Sequence, residues 1–205
     1  MGICKMHRKL IPFLLSVVLI SCSGVKKEKA EGSSEVKTQT STDITQLSAL
    51  LLSSTQNGDV VKVQEYLKGG ADVNFKDQDN RTALMFASFN GAIQIVEELL
   101  KCNAEINLVD VNGRSALLFA ASGPFPETVK MLLAKGAAID IQDNEEHFSA
   151  LMFAAAEGQL ENVKILVENG ANTGLKDIDG DNALSFAQAN GHTAVVDYLT
   201  KIDGK

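Results

Sequence analysis

Six residues, Thr82-Ala83-Leu84-Met85-Phe86-Ala87, return in altered form as Ser115 to Ala120, Ser149 to Ala154 and Asn182 to Ala187. The spacings are 33, 34 and 33 residues. A second line, Gly70-Ala71-Asp72-Val73-Asn74, returns at Asn103 to Asn107, Gly136 to Asp140 and Gly170 to Thr173. An aspartate marks each copy as well: Asp77, Asp110, Asp143 and Asp177. A fixed period of this length implies a stacked solenoid, in which each unit buries its apolar face only against its neighbours. Such a body offers a long binding surface rather than a catalytic pocket.

One unit shows how the period folds. In residues 75–107, Asp77-Gln78-Asp79-Asn80 suits a tight turn. Thr82 is placed to cap a short helix with its hydroxyl, and Leu84, Phe86 and Ala87 give that helix a flat side for stacking. Asn90-Gly91 ends it through a left-handed position. Ile93, Val96, Leu99 and Leu100 then recur at three- and four-residue spacing, the mark of an amphipathic second helix. Each unit is therefore turn, helix, turn, helix.

The front of the chain is of another kind. Lys5, Arg8 and Lys9 form a basic start, with no acidic residue before Glu28. Leu10 to Ile20 is an apolar run that would rise only about 16 Å as a helix, against a hydrocarbon core of about 30 Å. Residues 1–21 therefore read as a signal peptide and not as a membrane span. The following Leu19-Ile20-Ser21-Cys22 resembles the lipobox of bacterial lipoproteins. That resemblance implies a diacylglycerol thioether on Cys22, cleavage before it, and acylation of the new amino terminus. Ser23, where an aspartate would mark retention at the inner membrane, favours the outer membrane over the inner, and the periplasmic face is expected rather than the cell surface. From Cys22 to about residue 42 the chain is polar and reads as a flexible tether.

Cysteine use fits export. Cys4 leaves with the signal and Cys22 takes lipid, which makes Cys102 the remaining thiol of the processed chain. Its stability is then expected to rest on packing rather than on an internal disulfide. The whole chain has 19 basic and 26 acidic residues, a net charge of −7. Removing Lys5, Arg8 and Lys9 leaves 16 minus 26, or −10. An acidic body argues against nucleic acid and against direct adhesion to anionic lipid.

Catalytic chemistry finds little support. The three histidines, His7, His147 and His192, stand far apart, and no His/Cys/carboxylate cluster has metal-ligand spacing. Asp77 and Asp79, like Asp177, Asp179 and Asp181, resemble the start of a calcium loop but lack its twelfth-position glutamate. Neither a phosphate loop nor a nucleophile elbow is present. No enzyme activity and no cofactor are expected. Phe86, Phe119, Phe153 and Phe186 recur with the period and are expected to stack as a ladder, a packed interface first and a ligand groove second.

The pattern as a whole resembles the ankyrin repeat: a hairpin beginning with Asp, a Thr-Pro-Leu-His-like helix start, then Gly-Ala-Asp-Val-Asn. The resemblance implies an all-α solenoid of about five repeats. A degenerate one at 43–74 is followed by four at 75–107, 108–140, 141–173 and 174–205. Alanines (Ala83, Ala116, Ala150, Ala183) stand where the family has proline, and the helix survives them. Met85, Leu118, Met152 and Ser185 stand where it has histidine, so the hydrogen bonds of that histidine are missing and lower stability is expected. The third repeat carries Gly123-Pro124-Phe125-Pro126 between its helices, with Phe125 expected exposed or half-buried. The fourth has one extra residue within Asn144 to Phe148.

The family's usual binding surface is the hairpin tips and the outward side of each first helix. Carried over by position, it comprises Lys76, Gln78, Arg81 and Phe89; Val111 and Arg114; Glu145, Glu146, His147 and Phe148; and Ile178 and Asp181. Lys76, Arg81 and Arg114 would make the early tips basic, and Glu145, Glu146, Glu157 and Asp181 the later ones acidic. A partner of opposite polarity would align along that gradient. The expected function is a monomeric, lipid-anchored adaptor or scaffold that binds another protein through this concave face. The alternatives are an inhibitor or protective partner of a periplasmic enzyme and a surface-exposed binder of a host protein.

Overall fold

The computed structural model describes residues 35–203; the signal segment, Cys22 and the tether up to residue 34 lie outside them. Among the described residues ten helices follow one another as five pairs. They are α1 (Glu35–Gln56) with α2 (Val60–Lys68), α3 (Ala83–Phe89) with α4 (Ile93–Lys101), and α5 (Ala116–Ser122) with α6 (Pro126–Ala134). Then come α7 (Ala150–Ala156) with α8 (Leu160–Glu168), and α9 (Ala183–Ala189) with α10 (Thr193–Asp203). Helical backbone starts at Glu35, inside the stretch read as tether, because neither Gly nor Pro interrupts the run from Glu35 to Asp43. Among the described residues no helix is long and apolar enough to cross a membrane.

Odd-numbered helices pack on odd-numbered ones and even on even, giving two layers joined within each pair. Small residues make the first layer close. Ala83, Ala87, Ala116, Ala120, Ala150, Ala154, Ala183 and Ala187 are all buried, and no larger side chain would let these backbones approach so nearly. Leu84, Leu117 and Leu151 of the first layer meet Ile95, Leu99, Leu132 and Leu166 of the second in one continuous core. Each such side chain, fully buried, contributes about 2 kcal/mol of transfer free energy.

Caps set where each short helix begins. The Thr82, Ser115 and Ser149 hydroxyls accept from the amides of Met85, Leu118 and Met152, and the Asn182 side-chain Oδ1 from that of Ser185. In two repeats the substituted histidine position gives something back. The Met85 and Met152 Sδ atoms accept from the Thr82 and Ser149 N–H groups, both at 3.5 Å. A polar contact thus survives at this position, made within the repeat and with sulfur as acceptor.

Three devices tie repeat to repeat. The Asn or Asp that ends each Gly-Ala-Asp-Val-Asn line accepts from the next repeat's backbone: Asn74 from Glu105, Asn107 from Ala138, Asp140 from Asn172. Hairpin tips bond to one another through backbone, from Val111 N–H to Asp79 C=O, Asn144 to Asn112, and Ile178 to Glu146. Finally, Gly91 holds a positive φ of 61° beneath the Phe125 ring, which a Cβ there would meet at 2.2 Å. The half-buried Phe125 is thus a lock between repeats; Asn162, buried one repeat further on, donates to the Ala121 and Gly123 carbonyls and steadies its loop. Cys102 is half-buried at the C-cap of α4.

Candidate functional site

Every hairpin is built by its aspartate. Asp77 Oδ1 accepts from the Asp79 and Arg81 amides, Asp110 from Asn112 and Arg114, Asp143 from Glu146 and Phe148, and Asp177 from Asp179 and Asp181. The carboxylates that resembled a calcium loop are thus turn builders, accepting amides of their own hairpins. What differs is the residue just before the helix cap, which is Arg81, Arg114, Phe148 and Asp181 in turn.

Arginine at that place folds back on its own repeat. Arg114 Nε and Nη2 lie 3.0 and 2.9 Å from Asp110 Oδ2, and the Asp110 side chain is fully buried. Arg81 reaches both Asp77 and Asp79 at 2.9 Å. Each guanidinium also sits over a ring, with Cζ 5.1 Å from the centroids of Phe86 and Phe119 respectively. These pairs change the expected electrostatics. Arg81 and Arg114 are neutralised by the aspartates of their own hairpins, so the early tips do not form a strongly basic end.

Phenylalanine at the same place does something else. The Phe148 ring meets Phe153 at 5.4 Å and Phe186 at 4.8 Å, edge-on to both. The expected ladder is therefore bridged rather than direct. Equivalent helices pack 8–10 Å apart, beyond the 4.5–7 Å reach of ring pairs, so same-register rings need a third residue between them. Phe148 bridges the fourth and fifth repeats, and Phe89, whose ring is 6.1 Å from Phe119, bridges the second and third.

The other carried-over positions fall on the same face. Lys76, Gln78, Glu145, Glu146, His147 and Asp181 are exposed, while Arg81, Arg114 and Phe148 are half-buried. Phe89, Val111 and Ile178 are 56%, 52% and 55% exposed, unusual for large apolar side chains. His147 accommodates the extra hairpin residue with a φ of 60°. Between the second and third repeats the face sinks into an open cavity of about 160 Å³, lined by Arg81, Met85, Phe86, Phe89, Arg114 and Phe119. Sequence reasoning placed Arg81, Phe89 and Arg114 on this face and raised Phe86 and Phe119 as a secondary groove. It missed the guanidinium-on-ring packing that shapes the cavity; the recurring Asp-x-x-x-Arg spacing (Asp77 to Arg81, Asp110 to Arg114) was its available signal.

Residues 50–143 and 125–205 each match the family described as Ankyrin repeats (3 copies). A comparison with curated proteins finds no match. Five stacked helix pairs, aspartate-built hairpins and these two overlapping matches make the chain a member of the ankyrin-repeat family, whose repeats typically mediate protein–protein interaction.

Proposed function

We propose that this chain is an exported, lipid-anchored adaptor that binds another protein through its hairpin tips and first-helix face. One observation supports the binding face above the rest. Of eight exposed large hydrophobic residues among those described, four (Phe89, Val109, Val111 and Ile178) lie at the hairpins and first-helix ends that make up this face. Water-facing apolar side chains gathered on one surface mark an interaction site. The basic start, short apolar run and Leu-Ile-Ser-Cys ending support export and anchoring through Cys22, on the periplasmic face of the outer membrane. The body then acts by holding its partner close to that membrane, with no chemistry of its own.

Two experiments test the reading. A photoreactive residue at position 89 or 178 should give one dominant adduct in living cells, absent when it is placed at position 161 on α8. Adducts that are alike at all three positions would remove the face. Cys22→Ser should release the protein from the membrane fraction; a variant that stays membrane-bound would remove the anchor.

A further inference from the structure

The cavity between the second and third repeats has a size and a chemistry that together describe its occupant. Its volume is about 160 Å³. Sites for drug-sized ligands begin at about 300 Å³, whereas an apolar cavity of about 150 Å³ accepts a benzene. The space therefore suits one ring or one branched aliphatic side chain. Its floor is apolar, made by Met85, Phe86, Phe89 and Phe119. Phe89 is the outermost part of that lining, more than half exposed at the end of α3 and touching Phe119 edge-on.

The rim supplies the second half of the description. Arg81 and Arg114 spend Nε and Nη2 on the hairpin aspartates. Their Nη1 groups, on the opposite edge of each guanidinium, have no hydrogen-bond partner among the described residues. Aromatic rings alone would suit a cationic ligand, but the Phe86 and Phe119 faces are already covered by the Arg81 and Arg114 guanidinium groups. These partly exposed donors can exchange water for a carboxylate or carbonyl oxygen, and a charged acceptor binds them about twice as strongly as a neutral one. Local pairing to the aspartates makes this a short-range contact rather than long-range attraction.

We propose that the cavity receives one bulky apolar side chain of an extended protein segment, with a neighbouring carboxylate of that segment on the Arg81 and Arg114 Nη1 groups. This rests on the reading of the face as a protein-binding surface and names the chemistry of the partner it takes. Beyond the cavity the face turns acidic at Glu145, Glu146, Asp179 and Asp181. The same segment would accordingly carry its basic residues toward the last two repeats, which fixes its direction along the solenoid.

The test uses full-length protein labelled at its methionine methyl groups, with the Met85 signal assigned through a Met85→Leu variant. Three capped pentapeptides with a central phenylalanine, flanked by glutamates, glutamines or lysines, are titrated to millimolar concentration. The glutamate peptide should shift the Met85 methyl saturably and bind about tenfold more tightly than the lysine peptide, the ratio expected of one charge-assisted contact. Phe89→Ser, a surface change, and Arg81→Gln should each weaken it about tenfold. Equal binding of all three peptides, an unmoved Met85 signal, or affinity that survives Phe89→Ser would overturn the proposal. The two readings fail separately. A partner crosslinked from position 178 whose capture ignores Phe89→Ser removes this occupant and leaves the binding face; loss of position-specific crosslinks removes the face whatever the peptides do.

Discussion

The second and third repeats share their hairpin skeleton with the fourth and fifth and use it differently. In all four an aspartate accepts amides of its own turn. In the early pair an arginine returns to that aspartate and lies across the repeat's own phenylalanine, leaving a cavity rimmed with nitrogen donors. Further along, Phe148 fills the corresponding place between Phe153 and Phe186, and Asp181 adds negative charge at the last tip. One position per repeat, just before the cap, thus decides whether the concave face is open or plugged. The turn is held by backbone bonds, so this position varies without unfolding the hairpin. Fold and specificity are written in neighbouring residues with separate duties.

The largest effect expected from this contrast is at the aspartates. Asp110 is wholly buried, accepts two amides and holds a guanidinium. Asp110→Ala should cost about 3 kcal/mol, at the low end for breaking a buried pair because Arg114 remains partly hydrated. Asp177 accepts two amides and pairs with no cation among the described residues, so Asp177→Ala should cost about 1 kcal/mol. Urea denaturation of the two variants measures the gap. Equal losses would mean that the arginine return adds nothing and the two halves are held alike.

Next comes the lock beside the cavity. Gly91→Ala must place a Cβ at positive φ and push aside the Phe125 ring, for a loss of about 2 kcal/mol. Gly191 has a similar φ of 73° in the last repeat, with nothing within 4 Å of a Cβ. Gly191→Ala should lose only the strain, about 1 kcal/mol. The difference in thermal midpoint isolates what Phe125 contributes to joining the second and third repeats.

Phe148 separates open from plugged most directly. Phe148→Ala removes two edge-on ring contacts from a half-buried site and should cost about 1.5 kcal/mol, half of a fully buried phenylalanine. Phe148→Arg puts a guanidinium at the same pre-cap place, five residues after the buried Asp143 where the early hairpins have four. It should be the more stable of the two variants and should open a second donor-rimmed site. If it is the less stable, the position is not interchangeable between repeats.

How much of this was legible in advance follows from the range of each interaction. The helix pairs were, because Ile93, Val96 and Leu99 declare a helical face within a few residues and Thr82 declares its start. Phe89, Val111 and Ile178 were placed on the exposed face by the family resemblance, carried over position by position through the period. The basic half of the tip-charge gradient was overestimated because Arg81 and Arg114 were counted without the aspartates four residues before them. Phe125 over Gly91 and Asn162 under the Gly123 carbonyl join residues 34 and 39 apart, and no local pattern announces such contacts. The direct phenylalanine ladder failed on distance: periodicity reports that rings share a register, and the spacing of packed helices keeps them from touching.

The smallest expected effect is a control for the aspartates. Asp59 caps α2 by accepting from the Lys62 amide, and that bond, with the Lys62 ammonium nearby, holds its carboxyl below the usual value of 3.8. A lowered pKa means stability that is fully present above the unfolded value and lost as pH falls through the folded one. Asparagine caps a helix nearly as well and does not titrate. Asp59→Asn should therefore match the parent below about pH 3 and fall slightly behind it above about pH 5, where only the parent's carboxylate is charged. The contribution is small because the pair is exposed and solvent screens it. Calorimetric melting at the two pH values reads the difference. Should Asp59→Asn lose as much as Asp110→Ala, burial would not be what distinguishes the early hairpins, and the contrast between Asp110 and Asp177 would need another cause.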